Sequence, residues 1–127
     1  MTWTAVTRAE LVEIEGVWYF FTAGEDLSRG MAVKIGTDGK VYKGDADNEM
    51  LVGIAAHDVD SGDPVTVYGT GSLVYARCSG AASNYTEGTV VGLGVDGYLS
   101  YNNSTYPKAV VVDAPSATNG VAKVLIL

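Results

Sequence analysis

One twelve-residue cassette occurs twice in this chain in the same register, and it constrains the fold more than any other feature. Gly30-Met-Ala-Val33-Lys-Ile35-Gly36-Thr-Asp38-Gly39-Lys-Val41 is matched by Gly88-Thr-Val-Val91-Gly-Leu93-Gly94-Val-Asp96-Gly97-Tyr-Leu99. A looser third copy is Gly62-Asp-Pro-Val65-Thr-Val67-Tyr-Gly69-Thr-Gly71-Ser-Leu73. Each copy reads as a short strand with alternating apolar residues, a glycine-rich reversal and another short strand. Asp-Gly between alternating apolar residues signals a hairpin, because glycine supplies the positive φ that a tight reversal needs. Repetition of one supersecondary unit points to an architecture assembled from hairpins.

The rest of the chain reads the same way. Val12 and Ile14 alternate with Glu13 and Glu15, a period of two that favours a strand. Gly16 then makes a reversal. Val17-Trp18-Tyr19-Phe20-Phe21 is the most β-prone run. Successive side chains of a strand point to opposite faces, so these five cannot share one core. Either Trp18 and Phe20, or Val17, Tyr19 and Phe21, must be covered by something else. Residues 50–56 form a small-residue apolar strand. Pro64 opens a second hairpin that Leu73–Arg77 continues. Residues 79–87 and 102–107 are read as loops. Ala109–Asp113 and Val121–Leu127 are final strands joined by a turn ending at Asn119-Gly120. No helix is expected. The reading is an all-β fold, a small β-barrel or β-sandwich built from repeated short hairpins. Residues 1–127 make one β-rich domain, with residues 1–10 an extended N-terminal arm or strand.

Composition narrows the function. Apolar residues make up 47% and charged residues 18%, which is not the balance of a disordered chain. At 127 residues a domain buries roughly two-thirds of its unfolded surface. The net charge of −7 and the scattered basic residues argue against nucleic acid as a partner. No apolar run approaches the roughly 20 residues of a membrane span, and Met1-Thr-Trp-Thr lacks the pattern of a secretory leader. The expected site of synthesis is a cytosol, so the sequons beginning at Asn84, Asn102 and Asn103 carry no weight.

Candidate chemistry is sparse. His57 is the only histidine and has Asp58 and Asp60 beside it, but no nucleophile elbow accompanies them. Cys78 is the only cysteine and reads as a buried, inert thiol. Zinc needs more His and Cys ligands than the chain offers. Two acidic clusters, Asp45/Asp47/Glu49 and Asp58/Asp60/Asp63, place oxygen ligands on loops. Neither has the glycine and glutamate spacing of an EF-hand, so solvated turn residues are the default against calcium. No phosphate-binding glycine loop is present, and no cofactor is expected. The chain reads as a non-enzyme.

The stretches Glu25–Ile35, Gly39–Lys43, Leu51–Ala55 and Ser61–Gly71 follow a recognisable order. They resemble small capsid decoration, or cement, proteins of tailed bacteriophages. In that family G-x-[AP]-V, a glycine-flanked V-G-[IV]-A strand and G-[DE]-x-V-x-V-x-x-x-G recur in sequence. The resemblance spans residues 24–127 and rests on strand and turn residues. It implies a compact β body on the outer capsid surface, made in the host cytoplasm and bound to major capsid protein. It also implies grouping as a homotrimer, clamping of neighbouring capsid subunits and an N-terminal arm that reaches the lattice. It carries over no catalytic or cofactor residue. By residue type, the contacts with capsid or trimer mates fall on Trp3, Trp18, Tyr19, Phe20 and Phe21, since aromatic side chains anchor interfaces. A core position competes for Trp18. Two alternatives stay open: a β-domain that binds glycan or a host surface, and another minor virion part of the tail or a fibre. An enzyme or enzyme accessory domain is the weakest reading, testable through His57.

Overall fold

The computed structural model describes Trp3 and residues 11–127. Eleven strands follow one another: β1 (Val12–Ile14), β2 (Trp18–Thr22), β3 (Ala32–Ile35), β4 (Val41–Lys43), β5 (Gly53–Ala55), β6 (Pro64–Tyr68), β7 (Leu73–Arg77), β8 (Val90–Leu93), β9 (Leu99–Ser100), β10 (Ala109–Asp113) and β11 (Val121–Ile126). Among the described residues there is no α-helix, only one 3-10 turn at Ala82–Asn84. Two antiparallel sheets form, in the orders β1-β7-β11-β10-β8-β9 and β2-β6-β5-β3-β4. Of the two expected architectures the molecule takes the sandwich-like one. A single parallel bridge joins the residue after β2 to β4, Ala23 to Val41, and another joins the residue after β7 to β9, Cys78 to Leu99, so that each five-stranded unit curls on itself. This stops short of a closed barrel.

The two sheets repeat one another. Apart from β1, strand order in the six-stranded sheet is that of the five-stranded sheet moved five strands along the chain. Register repeats as well. Trp18 lies opposite Tyr68, and its counterpart Leu73 opposite Leu125. Val33 faces Gly53 as Val91 faces Ala109, and Ala55 faces Val67 as Val111 faces Val124. Loop hydrogen bonds match too: Gly30 N–H donates to Ala55 O at 2.9 Å, and Gly88 N–H to Val111 O at 2.8 Å. Residues 17–69 and 72–126 are therefore two copies of one five-stranded unit, and β1 is an addition to the second.

The cassettes are the sequence trace of this duplication. In the first two copies Ile35 pairs with Val41 and Leu93 with Leu99, the same hairpin twice. All three copies hold their first glycine and their turn glycine at positive φ, between 80° and 91°. The third copy is not the hairpin that the sequence suggests. Its two strands lie in different sheets, because β6 already has β2 and β5 on its two sides. The turn at Gly69–Ser72 instead carries the chain from one sheet to the other, with Gly71 N–H donating to Ile126 O at 2.8 Å.

Packing follows the alternation along the strands. Val33, Val41, Ala55, Val65 and Val67 fill the curl of the five-stranded sheet. Ala32 and Ile54, on its other face, join the larger core with Val74, Ala76, Val91, Leu99, Val111 and Val124 of the six-stranded sheet. Two segments read from the sequence as loops reach into this interior. Tyr85 is fully buried and donates its hydroxyl to Ser79 O at 2.5 Å. Asn103 is also buried; its amide donates to Glu49 O and Leu93 O at 2.8 and 2.9 Å, and its oxygen accepts from Tyr106 N–H. These bonds satisfy polar groups that burial would otherwise penalise.

Candidate interface surface

β2 is an edge strand, paired only with β6. Its alternation settles which half of the aromatic run faces inward. Tyr19 and Phe21 pack against the core of the five-stranded sheet, their rings 6.0 Å apart. Gly69 makes room for Tyr19: a Cβ there would lie 2.2 Å from the tyrosine ring. Trp18 and Phe20 face out and are 45% and 73% exposed. Trp18 leans edge-on against Tyr68 at 6.1 Å, and Phe20 has the open face of the sheet. Ile14 and Val17, at the β1–β2 corner, are exposed as well, Val17 on the Tyr19 and Phe21 face by the same alternation. Residue type alone passed them over, although Ile14 was already placed opposite in face to Glu13 by the alternation.

Trp3 belongs elsewhere. It is half-buried, packs against both cores and meets Tyr98 edge-on at 5.2 Å. Its indole N–H has no hydrogen-bond partner among the described residues. The remainder of the expected arm at 1–10 lies outside the described residues. The structure thus brings Trp18 and Phe20 together on one surface, turns Tyr19 and Phe21 inward from the same strand, and seats Trp3 against the body. A further apolar area, Ile35, Met50 and Leu127, is exposed around a cavity of about 320 Å³ that Tyr19 and Phe21 also line.

The polar clusters have local work. Glu49 accepts the N–H groups of Asp45 and Ala46 at 2.7 and 3.0 Å and pairs with the Lys34 ammonium, which also lies 3.0 Å from Asp45. Partial burial raises the Glu49 pKa, but the Lys34 bond and the two N–H donors outweigh it and hold the carboxyl below its ordinary value. Lys34 is raised in turn, chiefly by its bond to Glu49. Asp58 accepts Arg29 N–H at 2.8 Å. His57 is exposed; Nδ1 lies 2.9 Å from Asp58 O and Nε2 accepts Thr66 N–H at 3.3 Å, so the ring braces a turn. Among the described residues no three His, Cys, Asp or Glu side chains converge to hold a metal ion. Burial pushes the Cys78 thiol up to about 12, which keeps it protonated and unreactive at neutral pH. No helix among the described residues is long and apolar enough to cross a membrane. What stands out on the surface is an apolar strand edge.

No protein-family model matches this sequence, and no curated protein matches it. A solved structure does. The fold is similar to that of the head fiber gp8.5 N base of bacteriophage phi29, with a TM-score of 0.65 at 15% sequence identity. The match covers 87% of this chain and 93% of the phage protein. At that identity the likeness speaks for the fold, an all-β body of two antiparallel sheets.

Proposed function

We propose that this protein is a structural part of a tailed-phage particle, carried on the outer surface of the head, where it holds neighbouring major capsid subunits together. The observation that carries this reading is the likeness, over nearly the whole chain, to a head-fiber base. The sequence resemblance to capsid decoration proteins supports the same reading. The surface suits such a role: the outward aromatic residues of β2 offer a contact, and the described polar clusters are engaged within the fold. The mechanism is mechanical. Contacts of a standard size, about 1,600 Å² each, repeated over many copies, resist the pressure of packaged DNA.

A second reading has a specific observation in its favour, since the similar structure is a fiber base: a minor component that roots a projection on the head. Quantitative mass spectrometry of purified particles from the source lysate separates the two. A copy number close to that of the major capsid protein supports shell-wide clamping. A much smaller number supports a fiber base or tail part. Absence from particles overturns both and returns a free β-domain that binds glycan or a host surface.

A further inference from the structure

We propose that the open edge of β2 is covered, in the working assembly, by an extended strand from a second copy of this chain added antiparallel to it. The duplication supplies the argument. The counterpart of β2 is β7, and the edge of β7 that corresponds to the open edge of β2 carries β1. There Tyr75 N–H donates to Leu11 O at 2.9 Å. The counterpart of Tyr75 is Phe20. Val17 and Ala23 N–H both point to the β6 side, donating to Thr70 O and Asp63 O. Alternation then directs the N–H and C=O groups of Trp18 and Phe20 away from β6, to the edge that no described strand covers.

The other edge strands are protected in ordinary ways. β1 carries Glu13, β4 carries Lys43, and β9 is two residues long. β2 is the longest of the four, and Trp-Tyr-Phe-Phe-Thr contains no charge, no proline and no register shift. Unguarded edges of this kind template pairing with another chain. The chemistry of the covering strand also follows from the second unit. Glu13 of β1 is held by Lys123 and by the Tyr75 hydroxyl, each 3.1 Å away. In the first unit those positions are Thr66 and Phe20, so the strand that covers β2 has no carboxylate to place and meets an uncharged aromatic face. β2 of another molecule has that character, and every molecule brings one, whereas a foreign strand would need its own match. The inference concerns contact between copies and stands apart from where the protein sits on a particle.

The test is backbone amide exchange read residue by residue, with mass by light scattering, on the whole protein across a concentration series. The expected result is a mass of two copies at high concentration, with the Trp18 and Phe20 amides slowed by about tenfold or more relative to dilute protein. Tyr19 and Phe21 amides, bonded within the sheet, stay slow throughout. Phe20→Lys returns the mass to one chain and frees the Trp18 amide, while protection at Tyr75 persists as proof of folding. Trp18→Lys gives the same outcome if Phe20→Lys does not fold. A single chain at every concentration overturns the proposal, as does an oligomer whose Trp18 and Phe20 amides exchange freely. Protection that arises only on capsid particles, from protein that is a single chain in solution, also overturns it and gives the edge to a capsid strand.

Discussion

The two units of this molecule share a backbone and fill it differently. In the first, Tyr19 packs its ring over Gly69; in the second, the same two positions are Val74 and Ile126, both buried. A large residue facing none has become two of middling size. The comparison teaches that strand order and register here rest on glycine positions and apolar alternation, while each core is closed by local trades of volume. Cores tolerate such trades when total volume is kept. Transplanting one solution into the other unit is therefore the hardest test of their equivalence. Gly69→Ile alone drives a side chain into the Tyr19 ring and should cost about 3 kcal/mol, at the upper end of overpacking. Tyr19→Val alone opens a cavity and should cost about 2 kcal/mol. The double variant should be less destabilised than the sum by more than about 1 kcal/mol, the signature of coupled neighbours. Denaturant unfolding of the four proteins measures the cycle. Simple additivity would mean that the two cores are not interchangeable.

The same comparison shows what could be read from the residues. The cassette glycines were visible because a backbone at positive φ restricts the residue type directly, and Gly30, Gly39, Gly88 and Gly97 all adopt it. Alternation placed nearly every strand. The division of the β2 aromatics into two faces was also legible; which face is exposed was not, because that depends on Gly69, far along the chain. The duplication beyond the cassettes was hidden for a related reason. Small differences in loop length shift the spacing between counterparts, so Trp18 and Leu73 fall out of register with Gly30 and Gly88 in the linear sequence. The third cassette misled because two strands beside one short turn ordinarily pair, and here β6 had no free side. Asn103 and Tyr85 gave no signal at all. Their burial depends on carbonyls at Glu49, Leu93 and Ser79 that only the folded chain brings to them.

A subtler contrast lies between the paired turn glycines. Gly39 and Gly97 are counterparts, with φ of 80° and 90°. A Cβ at Gly39 meets nothing within 4 Å, whereas one at Gly97 comes within 2.7 Å of Met31 Cγ, a contact between the units. Gly39→Ala should then cost only the left-handed backbone term, about 1 kcal/mol. Gly97→Ala adds displacement of the Met31 side chain and should cost about 2 kcal/mol. Thermal unfolding of the two variants gives the order. Equal losses would show that Met31 yields freely, and would sharpen the comparison by removing this contact from what holds the units together.

The smallest expected effect is electrostatic and belongs to the first unit alone. Gly92 stands where Lys34 does, and in the second unit the neighbouring space is taken by the uncharged Asn103, 2.8 Å from where a Gly92 Cβ would be. The Lys34–Glu49 pair, both partners partly buried at the surface, therefore has no counterpart. The Glu49 pKa is depressed from 4.5, so the folded state binds fewer protons than the unfolded chain there. Its contribution is present above about pH 4.5 and is lost as pH falls through the lowered folded value. Lys34 is raised from 10.5, so its share is present at neutral pH and is lost as pH climbs through its raised value. Glu49→Gln keeps an acceptor for the Asp45 and Ala46 N–H groups and removes the charge. At pH 7 it should cost less than about 1 kcal/mol, as for a surface pair. The useful reading is the pH profile: the variant should lose stability less steeply than the parent below pH 4.5, and Lys34→Met should behave alike. A parent and variant that fall in parallel would place the acid sensitivity in other carboxylates, Glu13 beside Lys123 first among them, since Lys123 and then Tyr75 hold that group below its ordinary value as well. That outcome would move the acid-sensitive contact to β1, the one strand by which the second unit exceeds the first.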